Sequence, residues 1–228
     1  MRRILHIETT TDICSIGISQ EEELIALQEI TQFSEHASKI TLLIEACLQE
    51  ANLTLKDLDA VAVSQGPGSY TALRIGVSTA KGICYALNKP LIAVDTLQAL
   101  ALATFKTEQK DALYCPMIDA RRMEVYCAIF DKNNQLIQEA AALKIESDTF
   151  DAYFKKNQNM VFSGDGAEKC KSVLTSEFAH FSSIVCSAKH LVPLALAAFH
   201  HQQFADLAYF EPFYLKPPNI TTPKKNVL

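Results

Sequence analysis

The same opening is written twice in this chain. Three strand-like runs, "RILHIETT", "ICSIGIS" and "LIALQEI", fill residues 3–30, and three more lie within "YCPMIDARRMEVYCAIFDKNNQLIQEAAAL" from Tyr114 onward. Setting Ile118 and Asp119 over Ile7 and Glu8 takes an offset of 111 residues, and setting Leu136 and Ile137 over Leu24 and Ile25 takes 112. Two three-strand meanders at a nearly constant spacing signal an internal duplication. The chain must therefore fold as two like halves.

Each meander leads into an alternation of helix and strand. Ala37, Ile40, Ile44, Cys47, Leu48 and Ala51 recur at helical spacing and predict a helix with Ser34 as its N-cap. A strand Leu58 to Ser64, a helix from Ser69 to Leu87, a strand Leu91 to Val94 and a helix from Thr96 complete a βββαβαβα order. After the second meander the pattern predicts a helix near Asp148 to Lys156, a strand Met160 to Ser163 ending in "GDG", another helix, a short run Ser183 to Cys186 and a helix Ala188 to Ala205. Strands alternating with helices imply mixed sheets covered by helices, an α/β fold. The polar stretch Phe105 to Asp111 divides the halves, giving subdomains 1–105 and 106–228, with the last helix free to pack back on the first.

Composition removes several functions. With 49% hydrophobic residues the chain is not disordered, and a net charge of -5 argues against a protein that grips nucleic acid alone, which needs a basic face. No uncharged apolar run reaches the roughly 18 residues of a membrane span, so the expectation is a cytoplasmic protein with no membrane contact. Seven cysteines include no C-x-x-C, and six histidines include no H-x-x-x-H, which leaves no metal site to propose.

The stretch "SQGPGSYTALRIG" (64–76) looks like a phosphate loop: a glycine turn after a strand that opens a helix. It lacks the lysine of the Walker pattern, and Pro67 removes one N–H donor. The helix beyond it is more informative. Ala72, Gly76 and Ala80 form a small-residue groove, flanked by one apolar stripe of Tyr70, Leu73 and Val77 and another of Ile75, Thr79, Ile83 and Leu87. Leu42, Leu43 and Ala46 lie off the main apolar face of the preceding helix. So much apolar circumference predicts a partner interface made of Leu42, Leu43, Ala46, Ser69, Tyr70, Ala72, Leu73, Gly76, Val77 and Ala80. The alternative is a helix buried within its own domain.

Two βββαβαβα halves resemble the actin, sugar kinase and Hsp70 ATPase fold. "HIETTTDICSIGIS", "SEHASKI", "DLDAVAVSQGPGSYTALRIGVSTAKGICYAL", "IDARRMEVYCAIF" and "EPFYLKP" together resemble the TsaB (YeaZ) family of accessory proteins in tRNA threonylcarbamoyladenosine synthesis. The chain departs from that pattern at Glu8, where Asp is typical, and at Ala72, where Gly is common. The resemblance implies a scaffold that pairs with a catalytic paralogue, TsaD, works with the ATPase TsaE, forms a homodimer when alone and meets tRNA only through the complex.

In nucleotide-binding members of the fold, each meander carries a phosphate loop with glycines and a metal-holding acid. Here the loops read "ETTTD" (8–12) and "DARRME" (119–124), with no glycine in either. Glu8, Thr10, Asp12, Asp119 and Arg121 are therefore read as remnants of a nucleotide site; Gly164 and Gly166 of "GDG", between a strand and a helix where the fold lays an adenosine, are read with them, and a tight turn is the other reading. Arg121 and Arg122 could still grip phosphate through their side chains. Where the resemblance places the catalytic paralogue's metal-binding histidines, this chain has Thr96 and Leu100, which lack suitable donors. Asp59, Asp95 and Asp119 sit at strand ends, where a catalytic acid or a merely polar strand end are both open readings. The expectation is no catalytic residue and no cofactor beyond weak ATP or ADP binding; the alternative is an active ATP-dependent kinase or transferase of the same fold. Whether Arg121, Arg122, Lys224 and Lys225 touch tRNA, and what the tail "KPPNITTPKKNVL" does, are open in the sequence.

Overall fold

The computed structural model describes residues 1–31 and 35–217. The Ser34 cap, Lys224 and Lys225 lie outside the described residues. The first half contains β1 (Arg3–Glu8), β2 (Cys14–Gln20), β3 (Glu23–Ile30), α1 (His36–Glu50), β4 (Ala60–Ser64), α2 (Tyr70–Leu87), β5 (Leu91–Val94) and α3 (Thr96–Glu108). The second contains β6 (Leu113–Asp119), β7 (Glu124–Phe130), β8 (Leu136–Lys144), α4 (Asp151–Phe154), β9 (Met160–Ser163), β10 (Ala179–Phe181) and α5 (Ala188–His200).

Each half builds a five-stranded sheet of the same topology. The orders are β3-β2-β1-β4-β5 and β10-β9-β6-β7-β8, which correspond when the second is read in reverse. The antiparallel meander pairs β1 with β2 and β6 with β7, and the later strands join in parallel, β4 on β1 and β9 on β6. Glu8 and Asp119 both end the central strand of their sheet.

Helices follow the expected order only in the first half. There α1 and α2 cover one sheet face through Ile40, Ile44, Cys47, Val77, Ala80 and Cys84. In the second half the helix expected near 148–156 is the four-residue α4, and the one expected after "GDG" is a single 3-10 turn, Glu168–Cys170. The edge strand is Ala179–Phe181 rather than 183–186. The aromatic cluster of Phe150, Phe154, Phe162 and Phe181 fills the space that longer helices would have covered.

The two long helices that close the halves are exchanged. Leu97, Leu100 and Ala101 of α3 pack with Tyr114, Ile118 and Val161 of the second sheet, whereas Leu191, Ala195 and Leu196 of α5 pack with Ile4, Ala60, Ala62 and Ile92 of the first. Each half thus completes the core of the other. The chain then returns along the first half: the Ala205 amide donates to the Leu91 carbonyl at 2.8 Å, and Lys81 Nζ donates to the carbonyls of Ala208 and Phe210.

Candidate functional site

Between the two sheets lies a cleft of about 490 Å³, and its wall brings together Thr10, Asp12, Asp119 and Arg121 from both meanders. Sequence reasoning named all four. It missed Asp165 and Lys216, which also line the cleft, and Lys169, whose ammonium reaches Asp119 from behind the turn. No spacing rule links these residues, because each arrives from a different element.

The first loop is closed by its own residues. Glu8 is buried, and its Oε1 accepts from both the amide and the hydroxyl of Thr10. The extra methylene relative to Asp lets this carboxylate fold back on its own loop. Burial raises its pKa, since removal from water penalises the charged form, and the Thr10 hydrogen bonds oppose the rise. The Thr9 hydroxyl donates to the Ala72 carbonyl at 2.9 Å, and the Ser69 amide donates to the Thr10 carbonyl at 2.8 Å. A Cβ on Gly68 would lie 2.5 Å from that Thr10 oxygen. The glycine turn therefore cradles the Glu8–Asp12 loop where a phosphate loop would cradle an anion.

The "GDG" turn is equally occupied. Gly164 has φ +94°, and a Cβ there would meet the Met117 carbonyl at 2.2 Å; the Gly166 amide donates to the same carbonyl at 3.0 Å. Both glycines serve close packing against β6. Asp165, between them, accepts from the Asp119 amide at 3.2 Å. Burial, with the charges of Asp119 and Asp12 adding to it, pushes its carboxyl up to about 6.

The second loop is polar and strained. Arg121 and Arg122 have φ of +70° and +50°, the left-handed region that costs a residue with a Cβ roughly 1–2 kcal/mol. The Arg121 amide donates to Asp119 Oδ1 at 2.7 Å, and the Glu124 amide donates back to the Arg121 carbonyl. Lys169 Nζ donates to Asp119 Oδ1 and to the carbonyls of Arg122 and Glu124, the latter two at 2.7 Å. Lys216 Nζ pairs with the Glu124 carboxylate. The Phe213 amide donates to the Gln65 carbonyl at 2.7 Å, and Tyr214 stacks on Tyr70 with ring centroids 4.6 Å apart, so the returning chain crosses the cleft mouth.

The other singled-out polar residues have structural partners. Thr96 Oγ1 accepts from the Gly66 amide at 3.1 Å, and Leu100 is buried against the second sheet. Asp95 caps α3 by accepting from the Gln98 amide, and Asp59 accepts from the Arg3 amide. No group of three or more His, Cys, Asp or Glu side chains among the described residues has an arrangement suited to a metal ion. All seven cysteines are buried and unpaired.

The proposed interface helices need correction. Ala72, Leu73, Gly76, Val77 and Ala80 are buried within the chain's own first half. A Cβ on Gly76 would meet Thr9 Oγ1 at 2.3 Å, so the small-residue groove receives β1's own loop and offers nothing to a second molecule. Leu43 packs on the same core. Among the side chains that α1 and α2 expose are Leu42 (53%) and Tyr85 (82%), with Lys39, Glu45, Thr71, Arg74 and Ser78. A shallow groove runs along Tyr70, Arg74, Ile75 and Thr79.

Duplicated sheets with exchanged closing helices and a cleft between them define the architecture of the actin, sugar kinase and Hsp70 ATPase proteins. The (R)-2-hydroxyglutaryl-CoA dehydratase component A of Acidaminococcus fermentans shares this fold with a TM-score of 0.54 at 10% identity, over 89% of this chain and all of that one. YeaZ from Pseudomonas aeruginosa superposes with a TM-score of 0.79 at 25% identity, over 94% of this chain and all of its own. A family model described as TsaD, tRNA N6-adenosine threonylcarbamoyltransferase, matches residues 29–223. The tRNA threonylcarbamoyladenosine biosynthesis protein TsaB of Bacillus subtilis (strain 168) is 28% identical over 218 residues, 93% of either chain. TsaB of Buchnera aphidicola subsp. Schizaphis graminum is 29% identical over 83% of this chain and 91% of its own. The chain belongs to the TsaB (YeaZ) family, within the reach of the TsaD family model.

Proposed function

We propose that this protein is a non-catalytic subunit in the synthesis of threonylcarbamoyladenosine on tRNA, working in the cytoplasm as scaffold for the catalytic paralogue TsaD together with the ATPase TsaE. The observation that carries the reading is that both turns able to cradle a phosphate are filled by the protein itself: Gly68 and Ser69 hold Thr10, and Gly164 and Gly166 hold Met117. Thr96 and Leu100 supply hydrogen bonding and packing where a catalytic relative would need metal ligands. Among the described residues no helix is long and apolar enough to cross a membrane.

Docking falls on the exposed face of α1 and α2. Leu42 and Tyr85 are large side chains open to water on adjacent helices, the composition of an interface anchor with a polar surround. The same face serves a second copy when the paralogue is absent. Co-purification with TsaD and sedimentation of the chain alone test this. In the double variant Leu42→Lys with Tyr85→Glu, both associations should weaken by about tenfold or more while the melting temperature stays put. Unchanged association would remove this face from the reading. Saturable ATP turnover by the isolated chain would favour the alternative, a kinase or transferase.

A further inference from the structure

The turn between β6 and β7 is held in a way that the proposed scaffold role does not require. Asp119 Oδ1 and the carbonyls of Arg122 and Glu124 converge on one point, and the Lys169 ammonium sits there. An ammonium has three donors and no acceptor, so these three oxygens satisfy it completely. Arg121 and Arg122 stand in consecutive left-handed conformations without glycine, and that geometry turns the Arg122 carbonyl toward Lys169. The neighbourhood is rich in acid: Asp12 and Asp165 face the same cleft, while Lys216 is engaged with the Glu124 carboxylate. Lys169 is only 21% exposed.

We propose that Lys169 is a built-in cation, its ammonium filling an all-oxygen site that a free cation would occupy in its absence. The site has the ligands that hard cations prefer, one carboxylate and two carbonyls. Its covalent occupant needs no metal from solution. The ammonium holds the second turn rigid and takes up the one carboxylate of that turn that points into the cleft, so the cleft wall is preset rather than ligand-ordered.

The test is thermal melting of wild type, Lys169→Ala and the double variant Asp119→Asn with Lys169→Met. Ionic strength is held constant with tetramethylammonium chloride, too large for the site, and then exchanged for ethylammonium, potassium or calcium chloride. Lys169→Ala should melt about 3–6 °C below wild type in tetramethylammonium and regain at least about half of the loss, saturably, with one of the small cations. Wild type should not respond. The double variant carries neither charge but leaves the Arg122 carbonyl without its donor, so it should melt between Lys169→Ala in tetramethylammonium and wild type, and ignore the salt. If Lys169→Ala does not fold in any salt, the double variant decides: a folded double variant with a salt-independent melt supports the proposal, and equal failure overturns it. A single variant as stable as wild type, or equally destabilised in every salt, also overturns it.

Discussion

The two halves carry the same sheet and opposite kinds of loop. After β1, the acid Glu8 is buried and tied to Thr10, the loop has no cation, and α2 presses on it through Gly76. After β6, the acid Asp119 is half open to water, two arginines adopt left-handed conformations, and lysines from two other elements hold the turn. Duplication specifies strand order because sheet topology follows from hydrophobic alternation, which both copies retain. The loops answer only to their neighbours. Where a long helix lies over the loop, packing closes it; where the second half has a 3-10 turn in that place, charge does.

The largest effect should separate these mechanisms. Gly76→Arg would drive a side chain into Thr9 and β1, and more than about 4 kcal/mol of destabilisation is expected, enough to lose the native circular dichroism signal. Gly166→Ala, whose new Cβ would meet its nearest neighbours at 3.0 Å, should leave a folded protein. Equal losses for the two would break the comparison. Because Gly76 is sealed inside the first half, Gly76→Arg is a probe of folding; Leu42 and Tyr85 probe association.

Next comes acid. His6, fully buried on β1 and hydrogen-bonded to Ser19, is pushed by burial down to about 3, and His190 on α5 down to about 4. Unfolded histidines take up protons from about pH 6.5 downward, whereas these refuse them until much lower pH. Stability should therefore fall as pH falls through that window, by about 1.4 kcal/mol per unit for each histidine. Urea titrations at pH 7, 6 and 5 will measure the slope, and His6→Gln should lower it by up to about 1.4 kcal/mol per pH unit. A slope that His6→Gln leaves intact would move the acid sensitivity away from His6.

The smallest effect belongs to the second half and has the opposite sign. The Asp165 carboxyl, raised to about 6 by burial and its acidic neighbours, is protonated in the folded state at pH values where the unfolded chain is ionised. Its contribution is lost as pH rises from about 4 to 6 and stays lost above. Asp165→Asn keeps an oxygen for the Asp119 amide without the charge, and should raise stability at pH 7 by about 1–2 kcal/mol and little at pH 4. Loss of stability at pH 7 would show that the charge is needed there.

Much of this architecture is legible in the sequence. Period-two alternation locates both meanders, helical spacing locates α1, α2 and α3, and the 111-residue offset aligns the two acids that end the central strands. Pattern fails where local spacing and tertiary cover disagree. Residues 148–156 have helical spacing, but only Asp151–Phe154 form a helix, since an aromatic cluster supplies the burial there. "GDGAEK" looks like a helix start, yet its glycines are drawn against β6.

What the sequence determined by itself is the repeated sheet and the fact that one face of α2 must meet something at close range. A small residue at every fourth position cannot say what that neighbour is. Tertiary structure decided that it is Thr9 of the same chain, that α3 and α5 exchange partners, and that Lys169 reaches Asp119 across fifty positions. Periodicity is a property of one element and survives in the linear string. A cleft assembled from a turn, a lysine and a returning tail depends on contacts between elements, and exists only once they are packed.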